Sequence, residues 1–193
     1  MGKFNLSDRR DEIEALVVLS QNGDKAAFSE IYEIMVDPIY KYIFYRVSDD
    51  DVEDLLANVF VKVWQGIGKY KTKQGKFFTA WVFRIAHNIV IDYYKRNSLR
   101  DIVELDETLT ADGEKVNPSF LANRGLDAGL VRKAIASLKK AYRDVVVYKF
   151  ISGFSNSEIS EILGKSEGSI RVLQFRALAA LREKLEKLGI DGF

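Results

Sequence analysis

A chain of 193 residues and 22.0 kDa, 47% hydrophobic with only two prolines, is large enough to bury a core and too apolar to be disordered. Without cysteine it has no disulfide frame, thiolate metal site or cysteine nucleophile, and with no apolar run near membrane length and charges at Asp8, Arg9, Arg10, Asp11, Glu12 and Glu14 it is expected to be cytoplasmic, with no direct membrane insertion. The net charge of +1 hides segregation, −7 over residues 1–61, +7 over 62–97, −4 over 98–128 and +5 over 129–193, a pattern suited to a polyanion held at two basic places.

Apolar residues recur three and four apart along most of the sequence, which predicts helices. Ile13, Leu16, Val17 and Leu19 mark an opening helix over Glu12–Leu19, and Asp24 caps a second through Phe28, Ile31, Tyr32, Ile34 and Met35. Pro38 is expected to begin a third, with Ile39, Tyr42, Ile43, Tyr45 and Val47. Asp49–Asp51 open the next, their acids at the positive end of the helix dipole, with Leu55, Val59, Phe60, Val63 and Trp64 as its apolar stripe. Gly66 and Gly68 mark a break, residues 70–76 a polar basic loop, and FFTAWVFRIAHNIVIDYYKRN a long helix that closes the first bundle near Asn97.

Ser98 to Gly129 lacks sustained periodicity and contains Gly113, Asn117, Pro118 and Gly125, so it is predicted to be a flexible acidic tether with a short helix around Phe120–Leu126. Beyond it, Val131, Ala134, Ile135, Leu138, Tyr142, Val145, Val146 and Phe150 build two helices. The stretch Gly153–Leu185 then reads as a helix-turn-helix. Ile159, Ile162 and Leu163 form the apolar side of its first helix, Gly164 the turn, and Ser166 the cap of a second helix through Ile170, Phe175, Leu178 and Leu181. The fold class is therefore all-α: two small helical domains, residues 1–97 and 130–193, joined by the linker 98–129, the second containing the helix-turn-helix.

Such a motif fits a DNA major groove, with Arg171 and Arg176 beside the polar face and the amides of Ser166–Ser169 placed to meet a phosphate. A capped hairpin inside an ordinary bundle would share much of the pattern. Between Lys69 and Lys95, cations alternate with rings, a surface that suits a single strand with exposed bases. Trp81 shares core-like spacing with Phe78, Ile85, Ile89 and Val90 and is read as packing, whereas the lysines flanking Gly75 are candidates for direct contact. His87, the only histidine, lacks partners for a metal and is read as a polar surface group. Glu53 and Asp54 are adjacent on a helix and cannot face one another across a substrate; they are read as a cap or a docking face. No catalytic residue, metal or cofactor is expected.

Together DVEDLLANVFVKVW, FFTAWVFRIAHNIVIDYYKRN and GFSNSEISEILGKSEGSIRVLQFRALAALREKL, in this order around a variable tether, resemble bacterial extracytoplasmic-function sigma factors of the sigma-70 superfamily. The resemblance covers residues 20–97 and 130–187. It implies a first domain that binds the RNA polymerase clamp and opens the minus-ten promoter element, a second that binds the minus-35 element, and an anti-sigma partner, often membrane-bound. It assigns Asp54, Leu55 and Asn58 to core polymerase, with Leu55 and Phe60 supporting the helix. Lys71, Lys73, Lys76, Trp81, Arg84 and Asn88 fall to minus-ten DNA, and Ser166, Glu167, Gly168, Ser169, Arg171, Phe175 and Arg176 to minus-35 DNA. Ala57 and Asn58 stand where relatives often carry Gln and Glu, and Val172 and Leu173 where many carry Ser and Arg, so base preference is expected to lean on apolar contact or shape. A stand-alone helix-turn-helix activator is the alternative reading.

Overall fold

The computed structural model describes residues 6–71, 77–101 and 128–190. After a 3-10 turn at Leu6–Arg9, α1 (Arg10–Gln21) turns Ile13, Leu16 and Val17 inward and leaves Leu19 exposed. The α2 helix (Lys25–Phe44) begins where the Asp24 carboxylate accepts from the amides of Ala26 and Ala27. It runs unbroken through Pro38, which corrects the expected helix start there. A proline in a helix interior costs about 3 kcal/mol. Burial of Ile31, Ile34, Met35, Ile39, Tyr42 and Ile43 along the same helix, at about 1.5–3 kcal/mol for each large side chain, outweighs it.

Three aspartates fill the first turn of α3 (Asp49–Ile67), which buries Val52, Leu55, Val59, Phe60, Val63 and Ile67 and ends at Gly68. Trp64, placed in the core stripe by its spacing, is instead 49% exposed, edge-on to Phe28 at 4.6 Å between ring centroids. The first amide of α4 (Phe78–Asp101) donates to the Glu14 carboxylate at 2.7 Å, so an acid of α1 meets the positive end of this helix. The helix runs four residues past the Asn97 boundary expected from the sequence. Its early part buries Phe78, Ala80, Val82, Phe83, Ala86, Ile89 and Val90 against α1, α2 and α3.

The second helical unit starts with α5 (Ala128–Ala136) and α6 (Lys140–Val146), which continues as a π-helical turn over Val147–Ile151. Then come α7 (Asn156–Leu163) and the long α8 (Glu167–Lys187). The short helix expected around Phe120–Leu126 lies outside the described residues. The two units pack directly: α4 lies on α7, and α2 on the π-helical turn.

Candidate nucleic-acid and polymerase interfaces

The helix-turn-helix is set by three local devices. Ser155 and Glu158 form a reciprocal cap, the Glu158 amide donating to Ser155 Oγ at 3.2 Å and the Ser155 amide to Glu158 Oε2 at 2.9 Å. Gly164 ends α7 at φ 63°, a left-handed conformation that a side chain would resist. Ser166 Oγ accepts from the Ser169 amide at 3.2 Å and starts α8. Ile159 and Ile162 of α7 and Ile170, Ala177, Leu181 and Leu185 of α8 are buried, and Gln174 Nε2 donates to Asn156 Oδ1 at 2.6 Å to tie the helices. The expected inward side of α8 needs correction, because Phe175 and Leu178 are exposed. Helix geometry gives the reason: at 3.6 residues per turn Phe175 lies about 140° around the axis from Ile170, too far to share its face.

Every residue assigned from the sequence to minus-35 DNA stands on this surface. Ser166, Glu167, Gly168, Ser169, Arg171, Phe175 and Arg176 are all exposed at the N-terminal half of α8. Arg171 Nη2 lies 3.7 Å from Glu167 Oε2 on the preceding turn. Val172, which the resemblance sets where many relatives carry Ser, is 50% exposed one position beyond Arg171. It shares a face of α8 with Phe175, opposite the buried Ile170–Leu181 side.

The residues assigned to core polymerase divide. Asp54 and Asn58 are exposed on α3, whereas Leu55 is buried and acts by holding the helix in the bundle. Ala57, Val61, Trp64 and Gln65 extend the exposed surface, and Tyr32 of α2, ring to ring with Phe60 at 4.6 Å, borders it. This partly apolar strip was missed because Trp64 had been counted as core.

The minus-ten group is also divided. Lys71 and Asn88 are exposed, while Lys73 and Lys76 lie outside the described residues. Trp81 packs 5.3 Å from both Tyr70 and Phe78, ring centroid to ring centroid, and a Cβ at Gly66 would stand 3.0 Å from its ring. Packing is thus its visible role. Arg84 is engaged with the other domain, donating to the Glu161 carbonyl at 2.8 Å with its guanidinium 3.6 Å from the Glu161 carboxylate.

Arg84 belongs to a larger set of cross-domain contacts that the sequence did not disclose. Arg46, its side chain 1% exposed, donates Nη2–H to Asp144 Oδ1 at 3.1 Å and to the Asp144 carbonyl at 3.3 Å. Its guanidinium lies 3.8 Å from the Tyr42 ring centroid and 5.1 Å from that of Tyr148. Arg132 donates to the carbonyls of Phe44 and Val47 at 3.0 and 2.8 Å and pairs with Asp49. Arg10 reaches Glu158 at 3.0 Å. Phe83 meets Phe154 edge-on at 4.5 Å.

His87 also joins this interface, correcting its reading as a surface group. It is half-buried, with Nδ1 3.1 Å from the Tyr42 hydroxyl, which in turn accepts from Tyr148 at 2.9 Å. Burial pushes the Tyr42 hydroxyl up to about 12 and Tyr148 well above 10, so both remain donors, and the chain closes with neutral His87 protonated on Nε2. Burial holds His87 below its ordinary 6.5; Asp144 opposes this, while Arg46 and Lys140 reinforce it. The folded chain thus binds fewer protons here than the unfolded chain, so this contribution is complete above 6.5 and is lost as pH falls through the depressed value. The melting temperature should fall between pH 7.5 and 5.5 in the native chain and fall less in His87→Gln. Equal pH dependence in both would show that His87 does not titrate in this way.

Comparison with known proteins agrees with this architecture. The family model for sigma-70 region 2 matches residues 31–100, and that for sigma-70 region 4 matches residues 128–181. The chain is 33% identical to the ECF RNA polymerase sigma factor ShbA of Streptomyces griseus over 189 residues, 93% of this chain and 98% of that protein. It is also 33% identical to the ECF sigma factor BldN of Streptomyces coelicolor over 171 residues, 88% of this chain but 64% of BldN. Among solved structures, CnrH in complex with the cytosolic domain of CnrY has the same fold, with a TM-score of 0.66 and 22% identity over 90% of this chain and 96% of that one. The sigma factor RpoE from Bartonella quintana, in complex with the anti-sigma factor NepR, superposes with a TM-score of 0.65 at 24% identity, covering 82% of this chain and 96% of RpoE. With both sigma-70 regions matched and ShbA aligned almost end to end, the chain belongs to the ECF RNA polymerase sigma factors of the sigma-70 superfamily.

Proposed function

We propose that this chain is a promoter-recognition subunit: it binds core RNA polymerase in the cytoplasm, directs it to promoters and helps melt them, while the polymerase carries out all bond chemistry. The observation that carries this reading is α8, presented by the Gly164 turn and the Ser166 cap with its entire N-terminal polar surface exposed. Residues 130–193 would read the minus-35 element through that helix. Residues 1–97 would bind polymerase through Asp54 and Asn58 and receive the minus-ten strand beside Lys71, Lys73, Lys76, Arg84 and Asn88. An anti-sigma protein is the expected regulatory partner, as in the complex of the sigma factor RpoE with the anti-sigma factor NepR.

Run-off transcription with purified core polymerase tests this function. Added chain should support initiation without any other sigma factor; a stand-alone activator would bind duplex DNA yet fail to replace sigma. Within the polymerase contact, Trp64→Ala should cost about 2 kcal/mol of core affinity, since exposed aromatics dominate such interfaces, and Asp54→Ala with Asn58→Ala about 1 kcal/mol. Unchanged affinity in all three would place the interface away from α3.

A further inference from the structure

Phe175, 78% exposed, is the most exposed large hydrophobic side chain among the described residues, and Val172 follows the same helix at 50%. At about 100° per residue, Gly168, Val172, Phe175 and Ala179 fall within about 60° of one another around α8, opposite the buried Ala177. Arg171 stands about 40° beyond one edge of this strip and Arg176 about 40° beyond the other. The face is thus an apolar rail between two cations, directed away from the body of the protein.

At the head of the rail, a Cβ on Gly168 would meet nothing within 4 Å, so nothing within the described chain requires glycine. Glycine inside a helix costs about 1 kcal/mol relative to alanine. A bare backbone here admits close approach by another molecule. Ser166 and Ser169, both exposed, add hydroxyl groups at the same end.

We infer that Val172 and Phe175 read thymine 5-methyl groups in the major groove and so determine base specificity in the upstream promoter element. This rests on the duplex-binding role proposed above for α8. The groove, about 12 Å wide, admits one α-helix, and among its base-edge groups the thymine methyl is the apolar one. Arginines on both flanks complement phosphates or guanine edges on either side, which favours DNA over an apolar protein groove. Glu167, the acid on this surface, is close to Arg171, where its charge is met within the helix.

The test uses holoenzyme reconstituted from the full chain and core polymerase. A duplex is selected from a pool randomised upstream of a fixed minus-ten element, then resynthesised with single upstream thymines replaced by deoxyuridine, which removes only the methyl group. Native holoenzyme should bind one or two of the uracil duplexes about fourfold more weakly, the effect of one buried methyl. Val172→Ser and Phe175→Ser should each abolish discrimination at one of these positions, binding thymine and uracil duplexes alike. Selection without a fixed upstream thymine, native indifference to uracil, or equal losses on both duplexes in the variants would overturn the inference and assign the rail to a protein ligand or to helix support. Failure to select any upstream sequence would instead overturn the minus-35 role itself.

Discussion

Arg46→Ala should destabilise the chain by about 3–5 kcal/mol, because it removes one partner of a buried ion pair and leaves the other without its counter-charge. The Asp144 side chain is 12% exposed and that of Arg46 1%, so water replaces little of what is lost. The same substitution removes the cation that lies beside the paired Tyr42 and Tyr148 rings. Urea unfolding measures the loss, and small-angle scattering reports whether the domains separate before either unfolds. Arg46→Met combined with Asp144→Leu should recover most of the stability, since apolar replacement of both charges is often neutral. A loss below about 1 kcal/mol in Arg46→Ala, with unchanged dimensions, would deny this pair a role in docking.

Loss of Arg171 and Arg176 together should produce the largest defect in promoter binding. A guanidinium paired with a base edge contributes about 1–3 kcal/mol of discrimination, so each alanine substitution should lower affinity for the selected duplex and relax preference at one position. An arginine on phosphate behaves differently, weakening all duplexes alike and lowering the salt dependence of binding. Titrations of holoenzyme with base-substituted duplexes at several salt concentrations separate these roles. Both arginines are exposed and placed away from the buried side of α8, so the double variant should melt within about 0.5 kcal/mol of the native chain. Native affinity in a folded double variant would remove both residues from the DNA contact.

The sequence was most legible where structure is local. Asp24, Gly164 and Ser166 act on amides and dihedral angles within a few residues, and each stands where its chemistry placed a cap or a turn. Spacing was less informative where a helix is apolar on more than one side. Phe175 and Leu178 resemble core residues in the sequence but lie on the outer surface of α8, and Trp64 does the same on α3. Pro38 carried a valid local signal that the burial of its neighbours overrode. The cross-domain contacts were illegible for a different reason. Arg46 and Asp144 are 98 positions apart, so no periodicity links them, and His87 gains its hydroxyl partner only after α2 and α4 pack.

The contact between Arg84 and Glu161 ties the proposed strand-reading helix to the helix-turn-helix of the same molecule. A ligand that takes Arg84 Nη2 competes with this internal partner, so if Arg84 receives the strand as proposed, domain docking and strand capture would be thermodynamically linked. If the undocked form makes up about one part in a hundred of the free chain, a strand that binds only that form has its apparent affinity lowered about 100-fold. A partner that held the domains apart would remove this handicap, and a regulator that gripped both domains while docked would deepen it without touching DNA. The tightness of one intramolecular contact would then set how silent the free subunit is before it meets its enzyme.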